Sequence, residues 1–77
     1  MGVVQMNLAQ CKEGQEVIIL KSKNSQIHVQ ALRFGINEGS LVKIAKNIAG
    51  GPIIILKNQL EIAIGRQIAV GIEVESI

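Results

Sequence analysis

The chain is almost without aromatic, cysteine and proline residues. Its 77 residues include one phenylalanine, one cysteine and one proline, and neither tryptophan nor tyrosine. Proteins that bind single-stranded nucleic acid stack bases on several aromatic side chains, so a lone Phe34 disfavours that function. The lone Cys11 excludes an intramolecular disulfide, which is typical of a protein from a reducing, cytoplasmic compartment.

Long apolar runs and blocks of like charge are also missing. The longest apolar runs, such as residues 53–56, are far too short to cross a bilayer. The N-terminus lacks the basic and apolar regions of a signal peptide. The net charge is only +2, and the eight basic residues are spread along the chain, so no nucleic-acid-binding arm is indicated. We expect a cytoplasmic protein that binds no nucleic acid and meets a membrane only through another protein.

Apolar and β-branched residues are abundant. The sequence is 48% hydrophobic and 18% charged, a balance that excludes intrinsic disorder. Valine and isoleucine recur throughout and favour strands, while glycine and asparagine turn signals separate them at short intervals, as in a small sandwich or barrel. The apolar content exceeds what a small domain needs, so we expect an apolar contact surface and some self-association.

The hydrophobic pattern predicts five strands and one helix. We place the strands at residues 16–22, 40–48, 53–57 and 60–64 and from residue 70 onward, with one helical turn at 65–69. Alternation slips at residues 46–48, which indicates a bulge. After the first strand, Asn24 and Ser25 suit a helix N-cap, and Gly35 suits the left-handed position that ends a helix. The prediction is an all-β fold, a small five-stranded barrel with one short helical insert after the first strand, in one domain over residues 1–77.

Several short motifs follow one another in a recognisable order. Leu8, Cys11 and Gly14 precede the first strand, residues 34–39 read Phe-Gly-Ile-Asn-Glu-Gly, residues 51–53 read Gly-Pro-Ile, and apolar residues alternate from Ile62 to Val74. This order resembles the FeoA family, ferrous iron transport protein A, and the related SH3-like domain of metal-dependent repressors. Residues 34–39 fit the family's leucine-glycine-isoleucine-x-proline-glycine signature. The resemblance implies an SH3-like barrel.

The sequence departs from the family pattern in and just after the predicted helix. Glu38 stands where the family usually has proline, Ala31 where it has leucine, and Gln30 where it often has arginine. The resemblance implies a small accessory protein of ferrous iron uptake that binds the cytoplasmic domain of a FeoB-type membrane transporter. If the helix face that carries Gln30 and Ala31 contacts such a partner, partner choice is expected to differ here.

Residues 32–36 are the predicted partner-binding surface. We assign this role to Leu32, Phe34 and Ile36, because Phe34 is the only aromatic residue and aromatic residues are enriched at interface hot spots. The alternative is that Phe34 plugs one end of the barrel, since a small core needs every large side chain.

Residues able to do catalysis or bind metal are few. One histidine and one cysteine leave little choice of nucleophile or base, so we expect no enzyme and no catalytic residue. Cys11 and His28 are potential metal ligands. The simpler interpretation of Cys11 is a thiol buried among apolar residues, and that of His28 is an imidazole exposed to solvent. If the last two strands pair, Glu61 and Glu73 would share a cation, with Glu75 nearby; otherwise they form a solvated face. The metal site stays unassigned, no resident cofactor is expected, and Fe2+ or another divalent ion would bind weakly.

Two other functions remain open. The first is a stand-alone metal-responsive regulatory domain like the SH3-like domain of iron-dependent repressors, although the chain has few ligands and no helix-turn-helix. The second is a nucleic-acid-binding barrel, against which the weak charge and the single aromatic residue argue.

Overall fold

The computed structural model describes residues 6–77, which form a curved antiparallel sheet with short helices at its margins. A 3₁₀ turn (Leu8–Gln10) follows the first strand. The strands are β1 (Met6–Asn7), β2 (Glu16–Ser22), β3 (Leu41–Asn47), β4 (Ile53–Lys57), β5 (Leu60–Ile64) and β6 (Ile72–Ser76), and the helices are α1 (Ser25–Arg33) and α2 (Arg66–Ala69).

The sheet order is β1-β6-β2-β3-β4-β5, with every neighbouring pair antiparallel. The predicted all-β fold class with a helix inserted after the first long strand is therefore confirmed, as an open sheet of six strands within the described residues. Within residues 6–77 the structure adds strand β1, at Met6–Asn7, to the five predicted ones. The last strand begins at Ile72 because Val70 still has a helical backbone at the end of α2.

The core is formed by one face of the sheet. Alternate residues in part of β2, β3, β4 and β6 are buried, and residues of the 3₁₀ turn and of both helices complete the core. The buried apolar residues are Leu8, Cys11, Val17, Ile19, Ala31, Ile36, Val42, Ile44, Ile53, Ile55, Ile64, Ala69, Ile72 and Val74. The apolar run of β2 is thus buried on one face only, since Ile18 is half-buried and Leu20 is exposed.

Two irregularities bend the sheet. The register between β3 and β4 shifts between Ile44 and Lys46, at the edge of the segment where the sequence pattern predicts a bulge. A second shift lies between Ile19 and Lys21, where β2 pairs with β6. Bulges increase the local twist and curvature of a sheet, which wraps these strands around the core.

A two-residue hairpin turn joins β4 to β5. Asn58 and Gln59 have φ values of 51° and 70°, so both lie in the left-handed region that a type I′ turn requires. The register of Lys57 opposite Leu60, and of Ile55 opposite Ile62, follows from this turn and holds to the end of both strands.

Both ends of α1 are capped by the residues that the sequence indicates. The Asn24 side chain accepts a hydrogen bond from the Ile27 N–H at 2.9 Å. At the other end Gly35 has φ +76°, its N–H donates to the Leu32 carbonyl, and the Ile36 N–H donates to the Ala31 carbonyl. These two bonds are those of a Schellman motif, which satisfies the last carbonyls of a helix.

Close packing fixes α1 against the start of β6. Gly71 is buried, and a Cβ atom added there would lie 2.1 Å from the Ile27 Cδ1 atom. Glycine thus lets the helix approach the backbone directly. Because Ile27 and the buried Ala31 face the rest of the protein, the opposite side of α1 faces solvent.

Candidate docking surface

The three predicted partner-binding residues lie together at the C-terminal end of α1, but they differ in exposure. Leu32 is 45% exposed and Phe34 is 38% exposed, whereas Ile36 is only 2% exposed. Ile36 follows the Schellman glycine and is part of the core. Val29, which the sequence prediction omitted, is 50% exposed and lies three residues before Leu32, so the two side chains are neighbours on one helix face. We call Val29, Leu32 and Phe34 the α1 patch.

The Schellman motif holds Phe34 in place. Phe34 is the C-cap of α1, and its N–H donates to the Ala31 carbonyl at 3.0 Å. From the end of β4, the Lys57 ammonium donates a hydrogen bond to the Gly35 carbonyl. Because this backbone is already fixed, little backbone conformational entropy is lost when a partner covers the Phe34 side chain.

The charges next to the α1 patch are mainly positive. Arg33 lies between Leu32 and Phe34 in sequence, and Lys57 is bound to the adjoining Gly35. α1 itself carries no carboxylate, and Glu38 is the one acidic residue between Asn24 and Ser40. The arrangement suits a partner whose surface combines apolar side chains with carboxylates.

The predicted metal ligands are not brought together. Cys11 is buried, its Sγ–H donates to the Asn7 carbonyl at 3.6 Å, and burial raises the pKa of its thiol to about 11. His28 is exposed on α1. Within residues 6–77, no group of three or more histidine, cysteine, aspartate or glutamate side chains is placed to hold a metal ion.

The cation site suggested between Glu61 and Glu73 is wrong. It required the last two strands to pair, but β5 pairs with β4, whereas β6 lies between β1 and β2. Glu73 instead forms a salt bridge with Lys21 at 3.7 Å. Glu75 lies opposite Ile18.

A polar clamp that the sequence analysis did not anticipate joins three separate segments. The Asn47 amide donates to the carbonyls of Ala9 and Cys11 at 2.9 and 2.7 Å. The Arg66 guanidinium donates to the Asn47 side-chain oxygen at 2.7 Å, to the Ile48 carbonyl at 2.6 Å and to the Gly51 carbonyl at 3.1 Å. The clamp therefore ties the 3₁₀ turn and the β3–β4 loop to α2. The irregular alternation around Asn47 indicates a bulge, and nothing in the sequence indicates these hydrogen bonds.

No helix within residues 6–77 is both long and apolar enough to span a membrane.

The chain is similar to proteins of iron transport in sequence and in structure. Residues 6–76 match the family model described as FeoA domain. A protein of Methanocaldococcus jannaschii, provisionally named Fe(2+) transport protein A, is 45% identical over 69 residues, which cover 88% of this chain and 83% of that protein.

Solved structures share the fold at lower identity. A crystal structure of an iron uptake regulatory protein (FeoA) superposes with a TM-score of 0.86 and 20% identity, over 97% of this chain and all of the other. A FeoA-like protein from Clostridium acetobutylicum superposes with a TM-score of 0.83 and 20% identity, over 100% of this chain and 91% of that one. A manganese-dependent transcriptional repressor superposes with a TM-score of 0.86 and 18% identity, but this chain spans only 44% of its length.

Proposed function

The chain belongs to the FeoA domain family, and we propose that it is a small cytoplasmic accessory protein of ferrous iron uptake that docks on the cytoplasmic domain of a FeoB-type transporter. The relative in Methanocaldococcus jannaschii, whose name refers to Fe(2+) transport, supports a role in moving this ion. In this proposal Fe2+ is the cargo of the partner, and the chain acts through protein contact rather than catalysis.

The observation that carries the proposal is the α1 patch. Leu32 and Phe34, two of the three residues selected from the sequence, are large apolar side chains that are 45% and 38% exposed on a capped helix end. Ile36, the third of them, lies in the core at 2% exposure and is not part of the patch. A partner that buries Phe34 removes the chain's only aromatic side chain from water, and aromatic side chains dominate the binding energy of many interfaces.

Docking changes the transporter through differential affinity. If the α1 patch binds one conformation of the cytoplasmic domain more tightly than another, it shifts their populations toward the tighter one. The adjacent Arg33 and Lys57 speed association with an acidic surface and make the association rate fall with salt.

Titration calorimetry with the soluble cytoplasmic domain of the transporter from the same cell tests the proposal. We expect saturable binding that Phe34→Ala weakens by about tenfold or more, the loss typical of an interface hot spot. The matched control is Ile48→Ala, because Ile48 is similarly exposed, at 46%, but lies in the β3–β4 loop. Thermal unfolding of each variant verifies that it is folded.

The calorimetric titrations test the docking surface and the proposed function separately. Equal binding by Phe34→Ala and the unsubstituted chain would refute the α1 patch as the docking surface. Absence of binding, with and without Fe2+, would refute docking on this domain. Titrating Fe2+ or Mn2+ into the chain alone addresses the metal-responsive alternative, since tight saturable binding without a partner would favour that function instead.

A further inference from the structure

Among residues 6–77, strand β5 leaves one edge of the sheet without a partner, since it pairs with β4 alone. The two-residue hairpin makes Lys57 and Leu60 a hydrogen-bonded pair. Leu60, Ile62 and Ile64 therefore direct their backbone groups toward β4. The N–H and C=O groups of Glu61 and Ala63 point away from it and have no backbone partner within residues 6–77.

This edge lacks the features that usually prevent pairing with another chain. Proteins protect exposed edges with lysine, proline, a bulge or a very short strand. The sequence of β5 is Leu-Glu-Ile-Ala-Ile, with a single charge and neither lysine nor proline, and its register with β4 is unbroken over five residue pairs. Leu60 is 62% exposed.

We propose that the β5 edge is a self-association site, at which β5 of a second copy pairs antiparallel across a two-fold axis. Such an interface uses the same surface on both copies. Glu61 and Ala63 are the only β5 residues with outward backbone groups, so each of them has to lie opposite Glu61 or Ala63 of the second copy. The two-fold axis of a symmetric pairing therefore passes beside Glu61, Ile62 or Ala63.

Charge and length select the register centred on Ile62. Centring on Glu61 places two carboxylates directly opposite each other, which is unfavourable in a strand pair. Centring on Ala63 leaves the first two residues of β5 without strand partners. Centring on Ile62 pairs the whole strand and sets each Glu61 opposite Ala63 of the second copy, so no like charges meet.

In this register the apolar side chains also complement each other. Ile62 lies opposite Ile62 of the second copy as a pair without mutual hydrogen bonds, in which side chains approach most closely. Leu60, which is 62% exposed, comes to lie opposite Ile64 of the second copy and is thereby covered in part. The pairing uses the backbone of β5, whose residues are not part of the α1 patch, so the inference does not depend on the proposed function.

Two substitutions of equal size at residue 63 test the pairing. Ala63 is exposed on the side of the sheet away from the core. Ala63→Glu sets a carboxylate opposite Glu61 of the second copy at both ends of the interface, and should weaken dimerisation by about tenfold. Ala63→Lys sets an ammonium there and should strengthen dimerisation at low salt. The double variant Glu61→Lys/Ala63→Glu restores opposite charges and should recover the dimer.

Analytical ultracentrifugation over a concentration series gives the dimerisation constants, and amide hydrogen exchange identifies the interface. We expect protection of the Glu61 and Ala63 amides to rise with protein concentration. Those of Ile62 and Ile64, which already bond to β4, should change little. A chain that is monomeric at millimolar concentration, a dimer in which the Glu61 and Ala63 amides stay unprotected, or equal effects of Ala63→Glu and Ala63→Lys would each overturn the proposal.

Discussion

Cys11 shows how one position can resemble a reactive site in sequence and be part of the core in structure. Its side chain is 1% exposed, and burial raises the pKa of its thiol from 9.0 to about 11. Metal binding and nucleophilic reactions both need the thiolate. The environment of Cys11 therefore keeps it in the unreactive protonated form and favours the interpretation as a small apolar residue.

The raised pKa makes stability depend on pH in the alkaline range. The folded state holds the thiol proton more tightly than the unfolded state, so the stabilisation is complete below pH 9 and is lost as pH rises toward about 11. The free energy of unfolding should fall by about 2–3 kcal/mol across this range from Cys11 alone. Urea unfolding at a series of pH values measures it.

Cys11→Ala provides the control for the other groups that titrate in the same range. Its curve should be flatter than that of the unsubstituted chain between pH 9 and 11. Parallel curves for the two proteins would show that the thiol has no part in the alkaline loss of stability.

At the scale of elements, local sequence signals were most informative where a turn or cap needs a particular residue. Asn24 and Gly35 were both identified from the sequence, and they cap α1 by the hydrogen bonds expected of them. The bounds of β2, β4 and β5 also agree with those predicted from the sequence. The strand β1 was missed, since its two residues are strand-like only because β6 lies beside them.

The left-handed conformation of Gly35 gives a prediction for α1. Gly35→Ala should lower the free energy of unfolding by about 1 kcal/mol, because an L side chain is strained at φ +76°. Gly65→Ala is the matched control: Gly65 has φ −57°, and an added Cβ atom meets nothing within 4 Å. Chemical denaturation compares them, and equal losses in the two variants would contradict this role of Gly35.

At the scale of the whole molecule, the clamp of Asn47 and Arg66 brings together segments that are far apart in sequence. Its bonds span up to 57 residues, from Arg66 to the Ala9 carbonyl at 3.5 Å. No local pattern identifies such a contact, because the acceptors are main-chain carbonyls that every residue possesses. The fold class could therefore be predicted from periodicity, whereas the side chains that fasten its loops could not.

Removing the clamp should destabilise the protein. Arg66→Met leaves the partly buried Asn47 oxygen and the loop carbonyls without their donor, and we expect a loss of about 2 kcal/mol. Arg66→Lys should lose nearly as much, because an ammonium cannot reach several acceptors with the planar fork of a guanidinium. Unfolding in guanidinium chloride measures both, and full stability of Arg66→Lys would show that charge alone matters.

The residues of the α1 patch could be predicted from the sequence only in part. Leu32 and Phe34 were selected because of residue type, and the structure places both at the surface, but Ile36 has the same apolar character and lies in the core. The difference arises from the Schellman turn, which directs Ile36 inward. Val29 was missed because one exposed valine on a helix has no distinctive sequence signal.

The position of β6 has a consequence for folding during synthesis. β6 is the last of the six strands along the chain, yet it lies between β1 and β2. Until the ribosome has released it, β2 has an unpaired edge and Val17 and Ile19 lack part of their cover. Contacts between such distant segments form slowly, and open strand edges invite aggregation. A nascent chain stalled before Ile72 is therefore the form of this protein most in need of a chaperone.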